Sequence, residues 1–227
     1  MIKVTENLGK IQEFLATATR AAGRPEGSVQ LMAVSKRQPL QAILALAAAG
    51  HREFGENFVQ EGVDKINQSG RDDLVWHFIG HLQSNKTRQV AEHFHWVHTV
   101  DRLKIARRLS EQRPAQAEPL NICLQVNIDS EDSKSGVSVE DVAALAAAVA
   151  ELPQLNLRGL MCIPRVRHDP AEQRIPFRRL ANILGQLNAA GMSLDTLSMG
   201  MTADYAAAIS EGATIVRIGT ALFGARD

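Results

Sequence analysis

VQLMAVSKRQPLQAILALAAAGHREFGEN, residues 29–57, decides the fold. Residues 29–34 form a short apolar run of strand length. Pro39 stands where a helix tolerates proline, at its start, and 39–49 is almost all Ala, Leu and Ile. Gly50 ends that stretch, and 53–55 reads as a second short strand. Two strands joined through a helix run parallel, because the return trip needs a crossover.

Outward from this unit the same alternation continues. Helices are expected at 58–67, 86–93, 102–112, 139–152, 171–190 and 203–210. Strands are expected at 75–79, 96–100, 121–128, 157–162, 196–199 and 214–218. Before the first strand, Val4, Leu8, Ile11, Leu15 and Ala18 share one helix face. Eight strand–helix units in 227 residues fit an α/β fold: a single (β/α)8 barrel of the TIM type with an extra N-terminal helix, residues 1–227 forming one domain. The rival is an open doubly wound sheet. It calls for a GxGxxG turn after the first strand, where this chain has AVSKRQP. No GxxxxGK[ST] loop occurs either.

Composition bounds the function. Apolar residues are 45% and charged residues 22%, which excludes a wholly disordered chain. Lys+Arg and Asp+Glu are 25 each, so no global basic field draws the chain to nucleic acid or an anionic membrane. Interleaved acids make the Arg-rich stretches 102–113 and 165–179 read as solvated helix faces. Cys123 and Cys162 lie 39 residues apart in apolar runs, which suits buried thiols in a reducing compartment. MIKVTENLGKIQEF lacks the apolar core of a secretory leader, and the run from Ala42 is too short and Ala-rich to span a bilayer. A cytoplasmic protein is expected.

In such a barrel the chemistry sits at the C-terminal strand ends. Lys36 follows the first strand directly. A lysine opening a loop is ordinarily a surface residue, but partial desolvation at a barrel mouth would lower its pKa and make it a nucleophilic amine for an aldehyde. Asn57 ends the second strand, either to donate to a ligand or to cap the next helix. Arg217 lies inside an apolar strand, where it must be paired: with an internal carboxylate, or with a ligand. Ser198–Gly200 and Gly219–Thr220 end strands seven and eight, where barrels commonly build a phosphate site. His77 and His81 straddle a strand end, so their spacing does not make a metal pair, and no metal is expected.

Taken together, AVSK (33–36), FGEN (54–57), HFIGHLQSNK (77–86), SKSG (133–136), GLMCIP (159–164), LSMGMTAD (197–204) and VRIGTALFG (216–224) resemble the pyridoxal phosphate homeostasis proteins. That family is similar to the N-terminal barrel of alanine racemase. The resemblance implies pyridoxal 5′-phosphate bound as an imine on Lys36. It implies a phosphate held around Ser198, Gly200, Gly219 and Thr220, Arg217 facing the pyridine nitrogen, Asn57 near the cofactor, and Ile79 and Met199 in the vicinity of the ring. Thr202 departs from the serine common after SMGM but keeps the hydroxyl.

The function expected is a carrier in vitamin B6 homeostasis without dedicated substrate turnover. Apo forms of pyridoxal phosphate enzymes are its possible recipients, and a monomer is expected. The alternative is an amino-acid racemase of the same cofactor class; a third reading is an aldolase whose lysine captures a phosphosugar. Against the racemase, the sequence stops at Asp227 without the β domain that supplies a second base in alanine racemase, and its one tyrosine, Tyr205, falls in a helix.

Overall fold

A computed structural model describes residues 2–131 and 135–224. All eight expected strands are there: β1 (Gln30–Val34), β2 (Glu53–Glu56), β3 (Val75–Phe78), β4 (Trp96–Val100), β5 (Leu120–Gln125), β6 (Leu155–Met161), β7 (Thr196–Ser198) and β8 (Ile215–Ile218). They pair in chain order, all parallel, and β8 pairs back onto β1, so the sheet is a closed barrel. That closure excludes the open doubly wound sheet. Helices α2 (Leu40–Ala48), α3 (Val59–Ser69), α4 (Thr87–His93), α5 (Leu103–Gln112), α6 (Val142–Ala150), α7 (Pro170–Ala189) and α8 (Tyr205–Ser210) carry the chain between strands. The extra helix α1 (Ile2–Ala21) packs on α2, α8 and a short final helix, α9 (Thr220–Phe223). It buries Leu8, Ile11 and Leu15, the middle of the predicted apolar face.

Successive strand residues face opposite sides, and this sorts the core into two populations. Trp76 and Phe78 of β3 and Val216 and Ile218 of β8 face outward and join Phe94, Leu109 and Leu180 between barrel and helices. Full burial of such side chains contributes about 1.5–3 kcal/mol each. The intervening residues, His77 and Arg217, face the barrel interior. His98 of β4 hydrogen-bonds Ser198 of β7. Those strands are not neighbours, so that bond crosses the interior. Barrel interiors are usually filled by branched aliphatic residues; this one carries a polar seam.

Among the expected boundaries that move, three do so for a visible local reason. The fifth strand was expected to run to 128 but ends at Gln125, because Val126 bridges to Val137 and Asn127 donates to the Val137 carbonyl. The helix expected from 139 starts at Val142, after a turn closed by Ser138 Oγ on Asp141. The helix expected from 203 starts at Tyr205, because Asp204 Oδ1 accepts the Met201 N–H and holds 201–204 as a loop. That last shift places Met201 and Thr202 at the barrel mouth.

Candidate functional site

Lys36, Asn57, Ile79, Arg217, Gly219 and Thr220 line one cavity of about 190 Å³ at the C-terminal strand ends. Six of the nine expected site residues are thus brought together from four strands. Met161, Ile163, Met201 and Thr202 complete the walls with Val34. No carboxylate is among the described residues that line it. A second cavity, of about 330 Å³, shares Asn57, Ile79 and Ile163 and extends the mouth past His81, Thr99 and Gln125.

Asn57 does not cap α3. The flanking position there is Phe58, with no side-chain cap. Its Oδ1 is buried and has no hydrogen-bond partner among the described residues. Gly80 explains how Asn57 is held: a Cβ at residue 80 would lie 1.9 Å from the Asn57 carbonyl oxygen, so only glycine lets the end of β3 approach this closely.

Arg217 is buried, with 4% of its surface exposed. Among the described residues it makes no ion pair with an internal carboxylate. Its Nη1 donates to the Ser198 carbonyl (2.6 Å) and to Ser198 Oγ (2.9 Å), and Nη2 donates to the Cys162 carbonyl (2.8 Å). Burial draws its pKa down from the usual arginine value, yet a guanidinium stays charged. The side chain thereby ties together the ends of β6, β7 and β8, a seam where β7 and β8 pair at a single register position, Ser198 with Ile215.

Three expected residues stand elsewhere. Ser198 is fully buried, and its hydroxyl is taken by His98 and Arg217 rather than turned into the cavity. Met199 is fully buried in the layer between barrel and helices. Gly200 has φ +95°, and a Cβ there would meet Ala208 Cβ at 2.6 Å, so it serves the turn into α8. The residues of this segment that reach the mouth are Met201 and Thr202. Strand alternation hinted at this, but the end of β7 had first to be placed. Ser133 and Lys134 of the SKSG segment lie outside the described residues.

His77 and His98 were missed as a pair. Sequence spacing separates them, whereas the β3–β4 register, which pairs His77 with Trp96, brings their rings to 5.1 Å. Among the described residues no three His, Cys, Asp or Glu side chains could hold a metal. Cys123 and Cys162 are buried and free, and burial pushes the Cys162 thiol up to about 12, so it is not a nucleophile at neutral pH. In the Arg-rich stretch 165–179, Arg167 pairs with Asp129, and Arg174 and Arg178 pair with Glu211. Among the described residues no helix is long and apolar enough to cross a membrane.

Residues 7–227 match the family described as alanine racemase, N-terminal domain. A pyridoxal phosphate homeostasis protein of Pseudomonas aeruginosa is 56% identical over 227 residues, covering 100% of this chain and 97% of that one. One from Escherichia coli is 50% identical over 230 residues, covering 100% and 98%. These relatives are named for homeostasis of the cofactor and not for a reaction. The structure of PipY from Synechococcus elongatus with PLP bound is 36% identical with a TM-score of 0.84, covering 97% of this chain and 100% of that one. Alanine racemase of Corynebacterium glutamicum, at 17% identity and a TM-score of 0.74, covers 100% of this chain and 62% of that one, and shares the barrel fold. With likeness that runs the length of both partners, this chain belongs to the pyridoxal phosphate homeostasis protein family.

Proposed function

We propose that this chain is a single cofactor-binding barrel that carries pyridoxal 5′-phosphate as an imine on Lys36 and takes part in intracellular vitamin B6 homeostasis without dedicated substrate turnover. The observation that carries the reading is one cavity holding Lys36, Arg217, Thr202, Thr220 and the unpartnered Oδ1 of Asn57, with no carboxylate on its described wall. An amine, two hydroxyls and a buried cation suit an anionic aromatic aldehyde. When bound, the cofactor supplies an aldehyde carbon to which Lys36 Nζ bonds, with release of one water. Thr202, Gly219 and Thr220 line the cavity and offer it hydroxyl and backbone N–H groups for a phosphate; in this reading they take the part expected of Ser198 and Gly200. Arg217 is the group offered to the pyridine nitrogen.

The same residues argue against efficient racemisation. Enzymes that stabilise a full carbanion on this cofactor commonly set a carboxylate against the ring nitrogen to keep it protonated, and a permanent cation there does the reverse; alanine racemase works despite such an arginine because a tyrosine supplies a second base. Tyr205 lines a different cavity, against Asn7, Lys10 and Phe14 of α1. No tyrosine faces Lys36 among the described residues. The carrier reading extends to a monomer in the cytoplasm that passes cofactor to apo forms of pyridoxal phosphate enzymes.

The test is a visible spectrum of the purified protein loaded with pyridoxal 5′-phosphate, followed by borohydride reduction and intact-mass analysis. A yellow protein with one reduced adduct on Lys36 is expected, and Lys36→Ala is expected to lose both. An adduct that persists in Lys36→Ala moves the site. A colourless protein that traps only phosphosugars points to the aldolase reading. Amino-acid isomerisation at about 1 per second or faster, abolished by Lys36→Ala, establishes the racemase instead. Unphosphorylated pyridoxal is expected to bind far more weakly in titrations, since each lost charge-assisted hydrogen bond removes about 1.5–3 kcal/mol.

A further inference from the structure

A buried chain of hydrogen bonds crosses the barrel and ends on Arg217. Arg217 Nη1 lies 2.9 Å from Ser198 Oγ, and Ser198 Oγ lies 2.8 Å from His98 Nδ1. His98 Nε2 lies 2.9 Å from His77 Nδ1, and His77 Nε2 lies 2.6 Å from Glu53 Oε2. Ser198, His77 and His98 are fully buried. Glu53, the first residue of β2, keeps 18% of its side chain exposed in a groove at the opposite end of the barrel from the cofactor cavity.

The two ends set the direction of every bond between them. A guanidinium only donates and an ionised carboxylate only accepts. Ser198 Oγ therefore accepts from Arg217, and its O–H donates to His98 Nδ1. His98 Nε2–H then donates to His77 Nδ1, and His77 Nε2–H donates to Glu53. Each intermediate group donates once and accepts once, and both imidazoles are neutral. Burial, with repulsion from the Arg217 cation, holds His98 well below the ordinary histidine value and supports its neutral form. The opposite polarity needs an extra proton on His77. It also leaves the Ser198 O–H without an acceptor among the described residues.

We propose that Glu53 is a positioning residue for Arg217, acting from the far end of the barrel. Its carboxylate selects the Nε2–H tautomer of both histidines. They in turn draw the Ser198 hydroxyl proton away and leave an oxygen lone pair to hold the guanidinium against the cofactor cavity. This rests on the reading above, in which Arg217 faces the bound cofactor. A coupling of this kind extends the influence of the far end of the barrel to the cofactor site through orientation alone, with no proton delivered to Arg217.

Two measurements test it. Nitrogen-15 NMR of the histidine rings in the ligand-free wild type is expected to show Nε2–H at both His77 and His98. An Nδ1–H at His98 overturns the proposal, and this readout needs no cofactor. Titration with pyridoxal 5′-phosphate is then compared for Glu53→Gln, which keeps an acceptor, and Glu53→Leu, which removes it. Glu53→Gln, whose amide oxygen still accepts although its NH2 can also donate, is expected to stay closer to wild-type tautomers and affinity than Glu53→Leu. Glu53→Leu is expected to mix the tautomers at His77 and weaken binding about tenfold, as loss of a supporting hydrogen bond behind a ligand does. Wild-type tautomers and affinity in Glu53→Leu reject the relay. A wild type that shows the expected tautomers yet binds no cofactor rejects the functional reading and leaves the tautomer result to stand on its own.

Discussion

Lys36 and Asn57 are each preceded by a residue of one buried polar cluster. Ser35 Oγ donates to Glu56 Oε1 at 2.6 Å, and Lys65 Nζ donates to the same oxygen at 2.8 Å and to the Ser35 carbonyl at 2.7 Å. Glu61 pairs with Lys65 from its exposed side. The cluster ties the ends of β1 and β2 to α3 directly behind the two cavity residues. Lys65→Met leaves the Glu56 carboxylate, fully buried, without its cation. A loss of about 3–5 kcal/mol is expected at pH 7, read from urea midpoints. Burial already pushes the Glu56 carboxyl up, and removing Lys65 pushes it further. A raised acid destabilises the fold above its unfolded pKa, so the loss is expected to shrink as pH falls toward the ordinary carboxylate range. Lys65→Met with Glu56→Gln is expected to recover much of it. A Lys65→Met midpoint equal to wild type would show that the cluster does not hold the strand ends. At this scale Lys36 and Asn57 were legible because their strand ends were. Thr202 displaced Ser198 because one loop, closed by Asp204, decides which hydroxyl of a polar run faces the mouth.

The elements follow local rules closely enough to be read in order, and their ends do not. Helix α7 is an exception with a clear start. Asp169 accepts from the Ala171 and Glu172 N–H groups at 2.8 and 3.0 Å, and Pro170 follows at the first helical position. Asp169→Ala is expected to remove about 1 kcal/mol and lower the melting temperature by about 2–4 °C. An unchanged melting temperature would mean that the packing of Phe177 and Leu180 alone sets this end of the helix. Elsewhere one boundary moved where a loop found a partner in another segment, Val126 with Val137 beyond β5. No propensity encodes such partners, because they come from segments separate from the element itself.

For the whole molecule, the polar interior has a consequence in acid. Burial holds His51, His95 and His98 below the ordinary histidine value, His98 most strongly. The unfolded chain therefore binds protons near pH 6.5 that the folded chain does not, and stability falls as pH drops below that value until the folded groups titrate. Each such proton contributes a slope of about 1.4 kcal/mol per pH unit. Urea midpoints between pH 7 and 5.5 are expected to show this fall, and His98→Gln to flatten it by about one proton. A wild-type slope near zero in that window would mean that the three rings are protonated in the fold.

The order of strands and helices and the placing of Lys36 at the end of the first strand were determined by the sequence, because they rest on short-range patterns: apolar runs of strand length, helical periodicity, and a lysine directly after such a run. Barrel closure, the inward pairing of His77 with His98, and the way Arg217 is held by carbonyls instead of a carboxylate were decided only in the tertiary structure. Each depends on the register between strands distant in sequence, as far as Gln30 against Ile215 at the closure, and register follows from which faces can be buried together, not from any one segment.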